Sequence, residues 1–320
     1  MIDVSIIIVN YNSSRFLVNL VKSIYKFHVS LNLEIIIIDN ASLDNFNEVS
    51  QQIKKIYPIK ILSSQENVGF AMANNLAVKI AQGKYVLLLN PDTLFVDNSL
   101  ERVFKLAEKI SKPRIIGVKL LDENLNYQTS KQTFPNVINY LFQAFFLDSI
   151  FRGSKLFDRV YYGWQNSEKS AFVDSVKGAF LFVSKKLYDQ LGGLDSDYFL
   201  YTEEVDFCFR AKNKGIKSYY FPEAKLVHFG GESMESTKLS TFIELYESKI
   251  LFIKKHYSSL YSKFFKLILF IAAFNRTILN FILYLLRPSN PFYVNKYRLF
   301  LYSSEWFITG KIKSKRIILK

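Results

Sequence analysis

Within its first hundred residues the chain alternates four short apolar runs with three longer segments of helical periodicity, and that order restricts the fold more than any other feature. Residues 4–9, 34–39, 59–63 and 85–89, rich in Ile, Val and Leu, read as buried parallel strands. Residues 15–27, 46–56 and 71–81 read as the helices between them. A βαβαβαβ order predicts an open α/β sheet whose ligands bind beyond the carboxyl ends of its strands. Asn10, Tyr11, Asn12, Asp39, Asn40, Asn67, Asn90 and Asp92 all fall where those strands should end, which makes them the first candidates for a site.

Further along, residues 172–184 and 216–228 look like additional strands flanking a polar segment, YFLYTEEVDFCFR. In that segment Val205, Phe207 and Phe209 are expected to pack while the acids face outward. Residues 134–162 are aromatic with few turn signals, which suits a helix or loop excursion facing an acceptor or a bilayer. A length of 320 residues with 49% hydrophobic content allows one large core plus an appendage. Cys208 is the single cysteine, so no intrachain disulfide forms, and it is expected to be a small core residue. The start, MIDVSIIIVNYN, carries Asp3 where a signal peptide would be basic, and reads as a buried strand of a cytoplasmic protein.

The formal charge of +14 is unevenly spread. From Lys254 onward 13 Lys or Arg face only Glu305, whereas the first 253 residues hold 29 basic and 27 acidic residues. A boundary at residue 256 follows, with 1–256 as the α/β domain and 257–320 as a basic, hydrophobic helical appendage. A near-neutral body with a basic, aromatic tail points to an anionic membrane surface as partner rather than nucleic acid. Residues 267–275 and 277–286 are uncharged and separated by Arg276. Together they approach the ~20 apolar residues a span requires, but Arg276, Asn275 and Asn280 make an isolated span costly. Interfacial amphipathic helices are the favoured reading over a span or a soluble packing element, with Lys311, Lys313, Lys315 and Arg316 touching headgroups.

Several residues carry chemistry. Asn90 and Asp92, in the NPDT run directly after YVLLL, offer a carboxylate that could hold Mg2+ or Mn2+ against a diphosphate, or simply form a turn. Asp39 could accept a hydrogen bond from the imide of a uracil or thymine, or cap the next helix. In ENVGFAMANN, Gly69 permits close backbone approach, while Asn67 and Asn75 are polar contacts at a helix start. Glu203, Glu204 and Asp206 crowd beside Tyr198, Phe199 and Tyr201, an environment that raises a carboxyl pKa and suits a general base; the alternative is a solvated helical face closed by Arg210. His228, before Gly230 and Gly231, is either structural or a ligand.

In order, VSIIIVNYN, EIIIIDNAS, ENVGFAMANN, YVLLLNPDT, VKGAFLFVSKKLYDQLGGLD, YFLYTEEVDFCFR and LVHFGGES resemble glycosyltransferase family 2, particularly its rhamnosyltransferase-like members, over about residues 3–256. The resemblance implies a GT-A fold, an open mixed sheet with flanking helices. Its N-terminal half would bind a nucleoside diphosphate sugar through Asn10, Tyr11, Asn12, Asp39, Asn67, Gly69, Asn75, Asn90, Asp92 and Gly178. Asp39 matches the family's base-reading acid and Asn90-Pro91-Asp92 its Asp-x-Asp metal motif, with Asn90 departing from the stricter form. His228 matches a histidine that helps to hold the metal, giving Asp92 and His228 as ligands of a divalent cation, Mg2+ or Mn2+.

Glu204 falls at the family's catalytic carboxylate, one methylene longer than the usual aspartate. A displacement of ~1 Å can cost ~100-fold in rate. Glu203 and Asp206 would orient the acceptor or the base, and Gly178-Ala179-Phe180 would floor the donor sugar. The implied activity is a metal-dependent inverting transfer, first from dTDP-rhamnose and next from UDP-sugars, to a polyprenyl-linked or cell-surface glycan at the cytoplasmic face of a membrane. A processive synthase is disfavoured because no Gln-x-x-Arg-Trp motif occurs. A dinucleotide oxidoreductase lacks its Gly-x-Gly-x-x-Gly turn here. A catalytically inactive nucleotide-sugar-binding scaffold is the remaining alternative.

Overall fold

The computed structural model describes residues 1–110, 112, 114–230, 239–288 and 290–309. Gly231 and the tail residues Lys311, Lys313, Lys315 and Arg316 lie outside them. The chain divides into two units: residues 1–134 with 165–233, and residues 135–164 with 234–320. The aromatic segment and the helix ending at His256 thereby group with the C-terminal helices, where sequence composition drew its line at residue 256.

The first unit opens with β1 (Val4–Asn10), α1 (Ser14–Phe27), β2 (Leu33–Asn40), α2 (Phe46–Lys54), β3 (Ile59–Ser64), α3 (Phe70–Lys79) and β4 (Tyr85–Leu89). β1, β2, β3 and β4 lie parallel in the order β3-β2-β1-β4, as the apolar runs predict. Every residue of β1 is buried, so an isoleucine-rich sequence is needed on both faces of the strand. On α1, Leu17, Leu20, Val21 and Ile24 are fully buried at helical spacing, which fixes the helix against the sheet. Truncating one of them, Leu20→Ala for example, removes packing of the kind that costs ~2–5 kcal/mol.

The sheet continues with β5 (Thr93–Leu94), α4 (Ser99–Lys109) and β6 (Ile115–Leu121), followed by the two-residue strands β7 (Tyr127–Gln128) and β8 (Lys131–Gln132). The 135–164 segment interrupts the unit with α5 (Val137–Ala144) and α6 (Leu147–Ile150). Residues 172–184 do not form one strand: they break into β9 (Ala171–Val173), β10 (Ser175–Val176) and β11 (Phe180–Ser184) around Lys177 and Gly178. After α7 (Lys185–Gln190) comes α8 (Glu203–Asn213), then β12 (Ser218–His228). The ten-stranded sheet runs β3-β2-β1-β4-β11-β6-β12-β5, with β11 antiparallel to both neighbours, β7 added to β6 and β9 added to β12; β8 and β10 form a separate pair. This mixed sheet is the one expected.

The acidic segment does not turn all its acids outward. It is an 11-residue helix, so side chains recur at three and four residues rather than two. Glu203, Val205, Asp206, Phe207 and Cys208 are consequently all buried, acids included, and Phe209 is half-buried against Phe134 with ring centroids 5.0 Å apart.

The second unit adds α9 (Leu239–His256), α10 (Ser259–Leu286) and α11 (Pro291–Thr309). Residues 267–275 and 277–286 form one continuous helix, since Arg276 is itself a good helix former and its side chain donates to the backbone carbonyls of Ala272 and Gln143. α10 is long and apolar enough to cross a bilayer by length and composition.

Candidate active site

At the carboxyl ends of β1 and β2, Asn10 and Asp39 are paired in register. Asn10 is fully buried, and its amide donates to Asp39 Oδ1 at 3.0 Å and to Ser42 Oγ at 2.9 Å. Asn12 adopts a left-handed backbone, φ 52°, and locks the two loops together: its amide donates to Ser42 Oγ and its Oδ1 accepts from Leu43. Such a conformation favours asparagine among the non-glycine residues. Tyr11, between them, keeps an exposed ring. Asn10, Tyr11, Asn12 and Asp39 thus sit in one corner, as the sequence placed them.

Asn67, Gly69 and Asn75 are engaged with neighbouring protein groups. Asn67 Oδ1 accepts from Asn40 Nδ2 at 2.8 Å and from the Gly69 amide at 3.0 Å, while Asn40 Oδ1 accepts from Val68. At Gly69, φ is +82° and a Cβ would lie 2.6 Å from the carbonyl oxygen of Phe199, so the close approach is to protein backbone. Phe70 donates to that same oxygen at 2.8 Å. Asn75 accepts from Tyr188 and Leu194 and donates to the Leu194 carbonyl at 2.7 Å. Gly69 and Asn75 join the β1–β4 half to the segment that leads into α8, while Asn67 ties the loop after β3 to the end of β2.

That segment ends with two successive non-glycine residues at positive φ, Tyr201 at 67° and Thr202 at 71°, immediately before Glu203. Each such residue costs on the order of 1–3 kcal/mol and tends to be kept where a side chain must be aimed. The buried Asp206 receives Arg210 Nε at 2.6 Å, and Arg210 also donates to the carbonyls of Leu191 and Gly193. Asp206 therefore acts by bracing α8 from inside, and Glu203 is buried beside it; neither faces outward.

Of the three acids on α8, Glu204 is the one that is only half-buried. Gln132 Nε2 donates to its Oε1 at 2.9 Å, and Lys177 Nζ donates to the other end of the same Gln132 amide at 3.2 Å. Burial pushes the Glu204 carboxyl above its ordinary value, while the Lys177 charge and the Gln132 hydrogen bond pull it part of the way back. A Cβ on Gly178 would stand 3.7 Å from the Glu204 side chain, and the next residue, Ala179, accepts from the Asn90 amide at 3.2 Å. Glu204, Gly178 and the Asn90–Asp92 turn are thus consecutive contacts.

On the far side of that turn, β5 pairs with the end of β12, placing Thr93 opposite His228. Asp92 is buried, its Oδ1 accepts no hydrogen bond, and His228 Nε2 stands 3.5 Å from it. Gln128 Oε1 meets His228 Nδ1 at 2.6 Å, and the same amide donates to the His228 carbonyl at 3.1 Å. This network assigns the ring proton to Nδ1 and leaves the Nε2 lone pair toward Asp92. An unpartnered buried carboxylate oxygen beside an imidazole lone pair fits a divalent cation. Among the described residues no third His, Cys, Asp or Glu joins them, which suits Mg2+ or Mn2+ sharing its shell with phosphate oxygens and water. Cys208 lies in the core, where burial pushes its thiol up.

Sequence reasoning missed Gln128, Gln132 and Lys177. The two glutamines carry no charge or periodicity that marks them; only the pairing of β7 with β6 and of β8 with β10 brings them to His228 and Glu204.

A sheet of this topology with an acidic turn after β4 defines the GT-A class of sugar-nucleotide-dependent transferases. The structure of a mannosyltransferase from Pyrobaculum calidifontis, in complex with GDP-Man and Mn2+, superposes with a TM-score of 0.56 over 96% of this chain and 87% of that one, at 14% identity. The profile of Glycosyl transferase family 2 matches residues 5–166, and the chain belongs to that family. It is 23% identical over 252 residues to the low-salt glycan biosynthesis hexosyltransferase Agl10 of Haloferax volcanii, covering 76% of this chain and 72% of the relative. An N-acetylglucosaminyl-diphospho-decaprenol L-rhamnosyltransferase of Mycobacterium tuberculosis is 23% identical over 240 residues, 71% of this chain and 76% of that one. The protein is a glycosyltransferase.

Proposed function

We propose that this glycosyltransferase moves one sugar per encounter, with inversion at the anomeric carbon, from a nucleoside diphosphate sugar to a polyprenyl-linked or cell-surface glycan at the cytoplasmic face of a membrane. The observation that supports the reading is the contact chain from Glu204 through Gly178 and Ala179 to the Asn90–Asp92 turn, which links the carboxylate proposed as base to the turn proposed to face the diphosphate. Glu204 accepts the proton of an acceptor hydroxyl as that oxygen attacks the anomeric carbon and the bond to the diphosphate breaks. Asp92 and His228 would hold the cation, whose charge would stabilise the departing diphosphate. Asp39, set by Asn10, accepts from the nucleobase, and Tyr11 offers a ring beside it. Gly178, lacking a side chain, leaves room for the donor sugar against Glu204.

dTDP-rhamnose is the first donor to test, supported by the rhamnosyltransferase relative, and UDP-sugars follow. That relative's name also supports a diphospho-polyprenol acceptor. The test is hydrolysis of UDP-, dTDP- and GDP-sugars with Mn2+ or Mg2+ by the full chain, with and without membrane lipid extract. Turnover of one donor, abolished by Glu204→Gln, is expected. Nucleotide binding with no turnover under either condition would favour an inactive scaffold instead.

A further inference from the structure

On α10, Leu260, Phe264, Leu267, Phe274, Ile278, Phe281 and Leu285 recur at spacings of three, four or seven residues and are all exposed, forming one apolar stripe. At ~1.5 Å per residue it is ~38 Å long. The opposite face is used within the unit. Phe265, Ile268, Leu269, Ala272, Ala273 and Thr277 are buried there; Phe265 meets Tyr140 of α5 edge-on at 5.1 Å, and Thr277 Oγ1 lies 3.4 Å from Ser304 Oγ of α11. Arg276 is turned to this inner face, onto the carbonyls of Ala272 and Gln143, and Asn275 donates to Ala144.

We infer that this stripe is a membrane-docking face on which α10 lies flat in the headgroup region of an anionic bilayer, rather than crossing it. The inference rests on the reading that the enzyme meets its acceptor at a membrane. Length does not separate the two geometries, since the hydrocarbon core is ~30 Å thick. The inner face does. α9 shares this unit and carries Glu244, Glu247, Lys249, Lys254 and Lys255, and a spanning α10 would draw its packed neighbours and their charges into hydrocarbon. Lying flat, α10 buries its stripe to the ~5–10 Å typical of interfacial helices and leaves its neighbours in water.

Charge selects lipid over a second copy of the chain. No acid occurs between Glu247 and Glu305, whereas Lys263 and Lys266 lie on α10, Arg287 directly follows it, and Lys296 and Arg298 lie on α11, which packs against it. Pairing two copies of α10 through it would set cation against cation with no carboxylate on either copy of the helix to relieve them. An anionic headgroup layer instead offers a counter-charge to such a cation-rich, acid-free region.

The test is sedimentation of the full chain with phosphatidylcholine vesicles containing phosphatidylglycerol, against Ile278→Glu/Leu285→Glu. Losing two buried aliphatic side chains should weaken partitioning by at least ~100-fold. A Phe281→Trp variant keeps the inference open to refutation should the acidic pair misfold: its indole fluorescence should be quenched by lipids brominated along the acyl chain. Equal partitioning of wild type and a folded acidic pair, no quenching of the Phe281→Trp variant beyond that of wild type, or a wild-type dimer that the acidic pair dissociates would each overturn the docking face. Donor hydrolysis without lipid is measured in parallel. If it persists while partitioning is absent, the membrane reading alone fails; if it is absent while partitioning holds, the catalytic reading alone fails.

Discussion

Gln132 is joined to Glu204 at one end of its amide and to Lys177 at the other, and replacing it with leucine tests whether Glu204 is the base. A base works deprotonated, so activity rises with pH through its pKa. Burial already lifts that pKa; the Gln132 hydrogen bond and Lys177 oppose the lift. A hydrogen bond to a charged group is worth ~1.5–3 kcal/mol, part of which water recovers after the substitution. At 1.36 kcal/mol per pH unit, Gln132→Leu should move the acidic limb of kcat/KM for donor hydrolysis upward by about one unit. On that limb the variant should be ~10-fold slower, and at the alkaline plateau it should approach wild type. Lys177→Met should shift the limb the same way, because it removes the cation that favours the ionised carboxylate. A limb that stays in place, or a loss uniform at every pH, would refute the assignment and reduce Gln132 to a packing residue.

Other expectations follow from neighbouring contacts. Gln128→Leu frees the His228 ring, so half-maximal activity should require ~10–100-fold more Mn2+, with near-normal turnover at saturation; unchanged metal dependence in a metal titration would contradict it. Arg210→Met strands the buried Asp206 charge and should cost ~3–5 kcal/mol in urea unfolding. Gly69→Ala sets a Cβ against the Phe199 carbonyl at positive φ and should lower the thermal midpoint, whereas Gly178→Ala, meeting only ordinary contacts at 3.7 Å, should leave it within about a degree while slowing donor turnover.

The sheet was legible because parallel strands buried on both faces demand apolar runs, and their ends are marked by the polar residues that follow. Asn10, Asp39, Asp92 and His228 could be named for that reason. On α8 the packing of Val205 and Phe207 and the Asp206–Arg210 spacing were legible, but the acids were expected to face outward, and no local pattern shows that the helix turns Glu203 and Asp206 into the core. The bond from Asn75 to a loop 119 residues away was not legible, because an amide carries no sequence mark of its partner. The glutamines at 128 and 132 were invisible for a similar reason: their meaning comes from pairings that no periodicity announces.

Two carboxylates divide the labour in the proposed reaction, Glu204 as base and Asp92 as cation ligand, and calorimetric titration of the matching nucleoside diphosphate in the presence of Mn2+ separates them. Glu204→Gln should bind nucleotide as wild type does while turning over no donor, and Asp92→Ala should lose the Mn2+-dependent part of binding along with turnover. Wild-type binding by Asp92→Ala, or undiminished hydrolysis by Glu204→Gln, would contradict the account.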